Sequence, residues 1–375
     1  MKSDTHKPLR VIISGGGTGG HIFPALSIAE ALKRANPDTE ILFVGAENRM
    51  EMEKVPAAGF PIVGLPVAGF DRKRLWRNFK VLAKLFKSMA KAKKVIKDFA
   101  PDVAVGVGGY ASGPVLKQAQ AASIPTVLQE QNSYPGVTNK MLAPKAKAIC
   151  TAYPEMDRFF PAETIVLTGN PVRAALTAST LTKEQACEAL GFDPAKPLLF
   201  VTGGSLGART INRSVEAALK LFAEKEIQVL WQTGKLYADE CRKAAEPYPL
   251  VKAMPLVKAM PFIADMATAY RAADLVVARA GAGTISELEL LGKPAILIPS
   301  PNVAEDHQRK NAEALTSRGA AMMILDADAP AVLGEKVCSL IGNKDALTGL
   351  GAAAASLAKE NSAEKIVDVI YSVVI

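Results

Sequence analysis

Residues 11–32, VIISGGGTGGHIFPALSIAEAL, combine a strand, a glycine-rich turn and a helix in one short stretch. Five glycines fall within the six residues after the apolar run, and Gly15, Gly17 and Gly20 fit the spacing G-x-G-x-x-G. Because glycine has no Cβ, such a turn lets backbone N–H groups approach a phosphate closely. The stretch predicts a Rossmann-like domain, but it leaves open why His21 stands in the first turn of the helix.

The same spacing is typical of nicotinamide enzymes, which also carry an acidic residue about 20 residues further on, at the end of the second strand. Glu47, after the run ILFVG, is the nearest candidate, and it comes somewhat late. A NAD-binding oxidoreductase therefore stays as an alternative that rests on this first glycine loop (residues 15–20) alone.

The composition is that of a soluble globular protein with two domains. The chain has 375 residues, of which 49% are hydrophobic and 22% charged. No apolar run is long enough to span a membrane, and no apolar signal segment precedes the first strand. The four cysteines are far apart and the three histidines form no cluster with metal-ligand spacing, so we expect a reduced compartment and no metal.

The positive charge is concentrated in one element. The net charge is +8, and residues 71–98 contain eleven lysines and arginines against two aspartates. A nucleic-acid-binding protein usually spreads its basic residues over a whole face, so nucleic acid is not an expected partner.

Apolar strand-like runs alternate with helical patterns along the chain. The first half contains VIIS, ILFVG, PIVGLP, VAVGVG, TVLQE and AICTA, and the second half contains LLFVTGG, QVLWQTG, LVVARAG, AILIPS and AMMIL. Continuous apolar strands separated by helices are typical of parallel sheets with both faces covered. We expect two such sheets, joined near residues 169–180, with a cleft between them and ligands at the carboxyl ends of the strands.

Glycine-rich turns follow strands at several other places. A second glycine loop, GVGGYASGP (residues 106–114), lies in the first half, and GGSLGA (203–208) follows the first strand of the second half. The stretch RAGAGTISELELL (279–291) opens a helix whose N-terminus would attract phosphate. Glu287 in this helix is either a ligand for two ribose hydroxyls or an ordinary acid that complements the helix dipole. Several such turns indicate a sugar nucleotide and a second phosphorylated substrate.

Seven motifs in order resemble the MurG family of N-acetylglucosaminyltransferases. They are GGGTGGHIFPALSIAEAL, GVGGYASGP, EQNSYPGVTNK, TGNPVR, GGSLGAR, RAGAGTISELELLGKPAILIP and DHQRKNA. The likeness extends from residue 11 to about residue 315, which is most of the chain. It implies an enzyme of bacterial peptidoglycan synthesis that converts lipid I to lipid II. The sugar would move from UDP-N-acetylglucosamine to the C4 hydroxyl of the muramyl sugar.

The resemblance also implies an α/β protein with the GT-B fold, in which two Rossmann-like domains with parallel sheets face each other across a deep cleft. We place an N-terminal domain for acceptor and membrane at residues 1–170 and a C-terminal domain for the UDP-sugar donor at 171–355. A C-terminal helix at 356–375 is expected to pack back on the N-terminal domain. No cofactor is expected and metal is expected to be dispensable, since no DxD-like motif stands at a strand end.

By motif position, the resemblance implies two sets of substrate-binding residues. For the donor they are Thr18, Gly19, Gly20, Asn132, Arg173, Ser205, Ile263, Ala282, Gly283, Thr284, Ile285, Ser286, Glu287 and Gln308. For the acceptor they are Gly16, Gly17, Gly108, Gly109 and Tyr110. Arg173 and Ser205 would bind the diphosphate, and Ile263 would lie against the uracil. Gln129 stands where the family often has histidine, so position 129 is given no role.

The implied reaction converts an α-linked donor into a β(1→4) product, so the configuration inverts in a single displacement. One general base near the attacking hydroxyl is then sufficient. His21 is the first candidate for this base and Glu130 is the second. The alternative for His21 is a purely structural role at the start of its helix.

A basic helix is predicted from Lys73 onward, because its basic and apolar residues each recur at steps of three and four. We expect its apolar face, including Leu82, Phe86 and Met89, to pack on the sheet. The basic face is either simply solvated or bound to anionic lipid, and docking fits an enzyme with a polyprenyl-linked acceptor. The expected membrane contacts are Phe70, Arg72, Lys73, Trp76, Arg77 and Lys80. The protein would then be peripheral at the cytoplasmic face of the bacterial inner membrane.

Related GT-B enzymes stay open as alternatives, either a glycosyltransferase for another lipid or a UDP-sugar epimerase. A last feature of the sequence is the hexapeptide LVKAMP, which occurs twice in succession at residues 250–261. It is too short for a repeat architecture, and we interpret it as a lengthened loop.

Overall fold

The chain forms two compact units in a computed structural model that describes residues 7–67, 78–204, 206–248, 257–260 and 265–374. The N-terminal unit comprises residues 1–173 and 359–375, and the C-terminal unit comprises residues 174–358. Each unit is a parallel sheet covered by helices.

The N-terminal unit contains seven parallel strands in the part of the chain that is described. In sheet order they are β3 (Ile62–Leu65), β2 (Glu40–Ala46), β1 (Arg10–Ser14), β4 (Val103–Gly106), β5 (Thr126–Glu130), β6 (Ala148–Thr151) and β7 (Ile165–Leu167). Strand β1 is an inner strand, and its Ile12 pairs with Leu42 on one side and Ala104 on the other. The inner strands are mostly apolar and almost wholly buried because both faces of the sheet are covered.

Two layers of helices cover this sheet. The helices are α1 (Gly19–Ala35), α2 (Glu51–Ala57), α3 (Asn78–Phe99), α4 (Ser112–Ala121), α5 (Val137–Leu142) and, from the end of the chain, α15 (Ser362–Ser372). One face is covered by α1 and α15, where Leu32 of α1 and Ile366 of α15 are buried in the same core. The other face is covered by α3 and α4, which bury Ile96 and Leu116.

The C-terminal helix α15 returns to the N-terminal unit and packs against α1. Its residues Ile366 and Ile370 are fully buried, while Arg34 of α1 forms a surface ion pair with Glu364 at 2.8 Å. Helix α1 therefore has the sheet on one side and α15 on another, which fixes the helix that begins at the first glycine loop.

The C-terminal unit contains a second parallel sheet. In sheet order its described strands are β10 (Val257–Met260), β9 (Gln228–Gln232), β8 (Leu198–Thr202), β11 (Leu275–Ala278), β12 (Ala295–Leu297) and β13 (Met322–Met323). Its described helices are α6 (Ala174–Ala178), α7 (Lys183–Ala189), α8 (Arg209–Glu224), α9 (Ala238–Ala245), α10 (Met266–Ala272), α11 (Ala282–Leu290), α12 (His307–Thr316), α13 (Ala329–Ile341) and α14 (Lys344–Leu357). Short 3-10 helices lie at Ala143–Lys145, Met156–Arg158, Ala162–Thr164, Lys235–Tyr237 and Ala304–Asp306.

A buried polar pair anchors the core of the C-terminal unit. The indole N–H of Trp231, which is fully buried on β9, donates to Asn212 Oδ1 on α8 at 3.0 Å. The amide of Asn212 in turn donates to the Thr233 carbonyl at 2.8 Å. Both polar groups are thus satisfied, and the loop after β9 is held against α8.

The parallel α/β class predicted from the alternating pattern is confirmed, and the sequence missed two strands at sheet edges. One is β7, which has three residues, two of them exposed. The other is β10, which is formed by the second copy of the LVKAMP repeat and pairs with β9 from Val257 to Met260. The interpretation of the repeat as only a lengthened loop is therefore wrong for its second copy.

The prediction that the large apolar residues of α3 pack on the sheet is wrong for Leu82 and Phe86. Phe86 is 74% exposed and Leu82 is 41% exposed. The buried positions at steps of four are instead Ser88, Ala92 and Ile96. Small side chains let α3 approach α4 closely, so burial follows the small residues and turns the larger ones outward.

Candidate active site

The first and second glycine loops of the N-terminal unit lie in direct contact. They follow β1 and β4, which are neighbours in the sheet, so both loops begin at the same edge. Gly109 has a left-handed backbone, and a Cβ built on it would lie 2.4 Å from the Gly16 carbonyl oxygen. Glycine is thus required at position 109 for the two loops to meet.

His21 lies at the junction of the two loops, in the first turn of α1. Its Nδ1 is 3.2 Å from the Gly16 carbonyl oxygen and 3.3 Å from Thr18 Oγ1. Because a carbonyl can only accept, we assign the proton of a neutral His21 to Nδ1, which leaves the lone pair on Nε2. On the other side, a Cβ on Gly108 would lie 2.9 Å from Nε2, so the ring packs against the backbone of the second loop.

The remaining predicted residues of these loops are also placed here. Thr18 is the N-cap of α1, which begins at Gly19. The Gly17 N–H does not point to an open position but donates to the carboxylate of Glu51, at 3.1 Å from each oxygen. Tyr110 is 60% exposed beside the contact between the loops.

Glu130 is buried at the end of β5 and holds the loop that follows. Its Oε1 accepts from the Asn132 N–H at 3.0 Å and from Asn132 Nδ2 at 3.2 Å. Its Oε2 accepts from Asn139 Nδ2 at 2.9 Å and from the Gly136 N–H at 3.2 Å. Burial raises the pKa of Glu130, and the four hydrogen bonds oppose that rise. Both carboxylate oxygens are thus used to position residues 132–139.

Gln129 belongs to a buried amide network rather than to a surface that could meet a ligand. Its Nε2 donates to Asn170 Oδ1 at 3.0 Å, its Oε1 accepts from Gln131, and the Asn170 amide donates to the Gln131 carbonyl at 3.1 Å. The network ties the end of β5 to the segment that leads to Arg173. The guanidinium of Arg173 lies 5.2 Å from the centre of the Phe23 ring, in the first turns of α1.

The predicted donor residues of the C-terminal unit lie at the start of α11, which follows β11. Ala282 and Ile285 are buried, and the Ile285 N–H donates to the Gly281 carbonyl at 3.0 Å, so the side chains at these two positions do not face a ligand. Glu287 is half-buried, and its Oε2 accepts from the hydroxyl of Tyr270 at 2.9 Å. Tyr270 is itself buried on α10, edge-on to Phe200 with ring centres 5.4 Å apart. The tyrosine therefore orients the carboxylate of Glu287.

Gln308 and Arg279 organise the neighbouring loops of the same sheet edge. Gln308 Oε1 accepts from the Ser300 N–H at 2.8 Å and so shapes the loop after β12. Arg279 donates to the carbonyls of Ile298 and Pro299 at 3.0 and 3.2 Å. It also forms an ion pair with Asp326, and both side chains are mostly buried.

Several predicted site residues lie outside the described part of the chain. They are Ser205, Ile263, Phe70, Arg72, Lys73, Trp76 and Arg77, together with the side chain of Lys80. Glu47, the acid considered for a nicotinamide enzyme, is described and forms an ion pair with Lys91 at 3.0 Å.

The part of the chain that the structure describes contains neither a candidate metal site nor a candidate membrane span. None of the His, Cys, Asp and Glu side chains there form a group of three or more that could hold a metal ion. Within the same ranges, each helix is either too short or too polar to cross a bilayer.

Comparisons with known proteins agree along nearly the whole chain. Residues 11–151 match the family model of the glycosyltransferase family 28 N-terminal domain, and residues 198–370 match the model of the C-terminal domain of the same family. A Parabacteroides distasonis protein is 54% identical over 365 residues, which cover 97% of this chain and 98% of that protein. It is named UDP-N-acetylglucosamine--N-acetylmuramyl-(pentapeptide) pyrophosphoryl-undecaprenol N-acetylglucosamine transferase.

The chain belongs to the MurG family, within glycosyltransferase family 28. The resemblance inferred from the seven motifs is thereby confirmed. Among solved structures, Acinetobacter baumannii MurG is 30% identical with a TM-score of 0.75, covering 97% of this chain and all of that one. A UDP-N-acetylglucosamine 2-epimerase is 14% identical with a TM-score of 0.66, covering 98% of this chain and 96% of the epimerase, which shows a shared fold alone.

The sequence did not reveal four residues that form hydrogen bonds to the motif residues and loops and hold them in place. They are Glu51, Asn139, Tyr270 and Arg279, each of which contacts a motif residue or loop. Glu51 and Tyr270 lie outside the seven motifs, and each reads as an ordinary helical residue. No local signal distinguishes either residue, since Glu51 stands between two methionines and Tyr270 between Ala269 and Arg271.

A Glu130→Gln variant tests the burial of this carboxyl group. Because burial raises the pKa of Glu130 above its ordinary value of 4.5, the folded protein holds this proton to higher pH than the unfolded chain. Relative to the variant, the wild type should be most stable below that value and should lose free energy of unfolding as pH rises through the folded pKa. Urea denaturation of both proteins from about pH 4 to pH 8 measures this difference. A difference that stays constant across the range would contradict the assignment.

Proposed function

We propose that this chain transfers N-acetylglucosamine from UDP-N-acetylglucosamine to the C4 hydroxyl of the muramyl sugar of lipid I, giving lipid II. The observation that carries the proposal is the 54% identity, over 97% of the chain, to a transferase named for this reaction. The contacts of both units are consistent with it, since glycine loops and a helix N-terminus lie at the carboxyl ends of the strands.

His21 is the proposed general base. Inversion in one displacement needs a single group that removes the proton from the attacking hydroxyl. With its Nδ1 proton donated to the Gly16 carbonyl, His21 carries its lone pair on Nε2, beside the second glycine loop. An acceptor held by Gly108, Gly109 and Tyr110 would present its hydroxyl to that nitrogen.

Glu130 is proposed as a positioning residue rather than the base. Its two oxygens accept four hydrogen bonds, and the side chain is only 2% exposed, so a substrate hydroxyl has no direct approach. The carboxylate instead orients Asn132, which we assign to the donor sugar. Burial raises the pKa of Glu130. An acid limb of the kcat/KM profile against pH that lies above the ordinary carboxyl range would therefore not by itself identify His21 as the base.

The donor is proposed to bind at the start of α11. Its free N–H groups and helix dipole favour the negative diphosphate, most strongly as charge grows on the leaving UDP. Glu287, oriented by Tyr270, accepts the ribose hydroxyls, and Gln308 contacts the sugar. Arg173 is the proposed cation for the diphosphate, and with it we propose that metal is dispensable.

We also propose that α3 docks the protein on the cytoplasmic face of an anionic membrane. Phe86 and Leu82 are exposed on this helix, and Lys84 and Lys87 beside them are exposed as well. An apolar group surrounded by lysines suits an anionic bilayer, because the apolar side chains enter the interface while the ammonium groups meet the headgroups. The exposure of these large side chains strengthens the docking interpretation over simple solvation.

His21→Ala tests the assignment of the base. The variant should lose kcat by about 10²–10⁴-fold, the usual contribution of general-base catalysis, while its affinity for UDP-N-acetylglucosamine stays unchanged. Steady-state transfer to a lipid I analogue and calorimetric titration with the donor measure the two quantities. Glu130→Gln is the comparison, and it should raise the donor KM more than it lowers kcat. A His21→Ala enzyme that keeps more than about a tenth of kcat would remove His21 from the mechanism.

Tyr270→Phe tests the orientation of Glu287. The ring keeps its packing on Phe200, while the hydrogen bond to the carboxylate is lost. A hydrogen bond to a charged group contributes about 1.5–3 kcal/mol, so the donor KM should rise by about 10-fold or more with kcat largely retained. The variant should also discriminate less against a donor that lacks one ribose hydroxyl. An unchanged preference for the intact ribose would argue against this role.

Phe86→Ser tests docking through α3. Burial of a phenylalanine side chain is worth about 1.5–3 kcal/mol, so partition onto anionic vesicles should weaken by about 10-fold or more. Leu236→Ser is the matched control, because this leucine is 80% exposed in the C-terminal unit. Sedimentation with vesicles of phosphatidylglycerol and phosphatidylcholine measures both. Equal binding by the two variants would exclude α3 as the docking surface.

A further inference from the structure

Glu51 is a buried acid whose side chain extends from one loop into another. It is the first residue of α2, it is 1% exposed, and no part of the reaction proposed above uses it. Its Oε1 accepts from the Ala46 N–H at 3.0 Å, at the end of β2. Both of its oxygens lie 3.1 Å from the Gly17 nitrogen in the first glycine loop. Every one of these partners is a backbone donor, so the buried carboxylate is satisfied by the chain itself.

Two glycines beside this carboxylate leave the space that its side chain occupies. A Cβ on Gly16 would lie 2.1 Å from Glu51 Oε1, and a Cβ on Gly45 would lie 2.6 Å from Glu51 Cγ. Contacts below 3 Å do not occur between a real Cβ and its neighbours. Gly16, which the resemblance assigns to the acceptor, and Gly45 at the end of β2 are therefore needed to admit an internal side chain.

In a dinucleotide-binding turn, the second glycine of G-x-G-x-x-G lets the backbone approach the pyrophosphate. Here that glycine is Gly17, and its N–H is taken by Glu51. We propose that Glu51 occupies the anion position of the first glycine loop from inside the protein, so that the loop positions His21 instead of binding a ligand phosphate at Gly17.

The connection to His21 runs through one peptide group. Glu51 holds the Gly17 N–H, and the carbonyl of the same peptide bond, on Gly16, accepts from His21 Nδ1 at 3.2 Å. The carboxylate fixes the plane of that peptide, and the peptide fixes the ring and its tautomer. Glu51 is thus a positioning residue that acts on the base without touching substrate.

This inference rests on the proposed role of His21, so its test includes a measurement that does not depend on catalysis. Glu51→Ala leaves the N–H groups of Gly17 and Ala46 without their carboxylate, and formate is a carboxylate small enough to replace it. Formate at about 0.1 M should raise the thermal midpoint of Glu51→Ala and leave that of the wild type unchanged, by mass action on an emptied site. Sodium chloride at the same ionic strength controls for salt.

The catalytic measurement uses the full-length protein with UDP-N-acetylglucosamine and a lipid I analogue. Glu51→Ala should lose at least about 10-fold in kcat with little change in donor KM, and formate should restore several-fold of the loss. Glu53→Ala, an exposed acid on the same helix, is the matched control and should behave as wild type with or without formate. Glu51→Gln has nearly the same size, but it replaces one of the two acceptor oxygens by an NH2 group that cannot accept from the Gly17 N–H, and it removes the negative charge, so its kcat should fall as well.

The outcomes separate the two assignments. If formate stabilises Glu51→Ala while His21→Ala keeps its activity, the carboxylate position stands and His21 is not the base. If Glu51→Ala folds and formate neither stabilises it nor restores kcat, the proposal for Glu51 is wrong. If Glu51→Ala does not fold, a folded Glu51→Gln with wild-type kcat would equally overturn it.

Discussion

The contact between the two glycine loops of the N-terminal unit determines most of what surrounds His21. It exists because β1 and β4 are neighbours in a parallel sheet, which brings the ends of both strands to one edge. At that edge Gly109 lies against the Gly16 carbonyl, and Gly108 lies against the imidazole ring. Neither approach leaves room for a Cβ. The position of the histidine is therefore set by the packing of the two loop backbones, which the sheet brings together.

Buried carboxylates hold the loops of this unit together, and they do so in the same way at two places. Glu51 and Glu130 each follow or end a strand, each is almost wholly buried, and each accepts hydrogen bonds from the backbone N–H groups of loops. A buried acid is tolerated only where such donors surround it. In the C-terminal unit, Asp326 fills a comparable position by accepting from Thr210 and pairing with Arg279. Glu130, the second candidate for the base, is thus bound through both oxygens to the loop that follows it.

The sequence alone predicted the central strands and the helices that follow the glycine turns, because long apolar runs and glycine spacing are local signals. It failed where burial depends on distant partners. Strand β7 has only three residues and two of them are exposed, so its composition does not mark it. Helix α3 was assigned its apolar face by residue size, whereas the closeness of α4 selects the small Ser88 and Ala92. Glu51 and Tyr270 could not be found because their partners lie 34 and 17 residues away.

The edge strand β10 is formed by one copy of a duplicated hexapeptide. Its residues Val257–Met260 have the same sequence as residues 251–254, six positions earlier. A shift of six is even, so either tetrapeptide would direct the same side chains to the same face of β9. The local sequence thus contains two identical tetrapeptides that could form this one strand, and only the flanking residues distinguish them. After deletion of either hexapeptide, the chain would still contain the residues that form this edge strand.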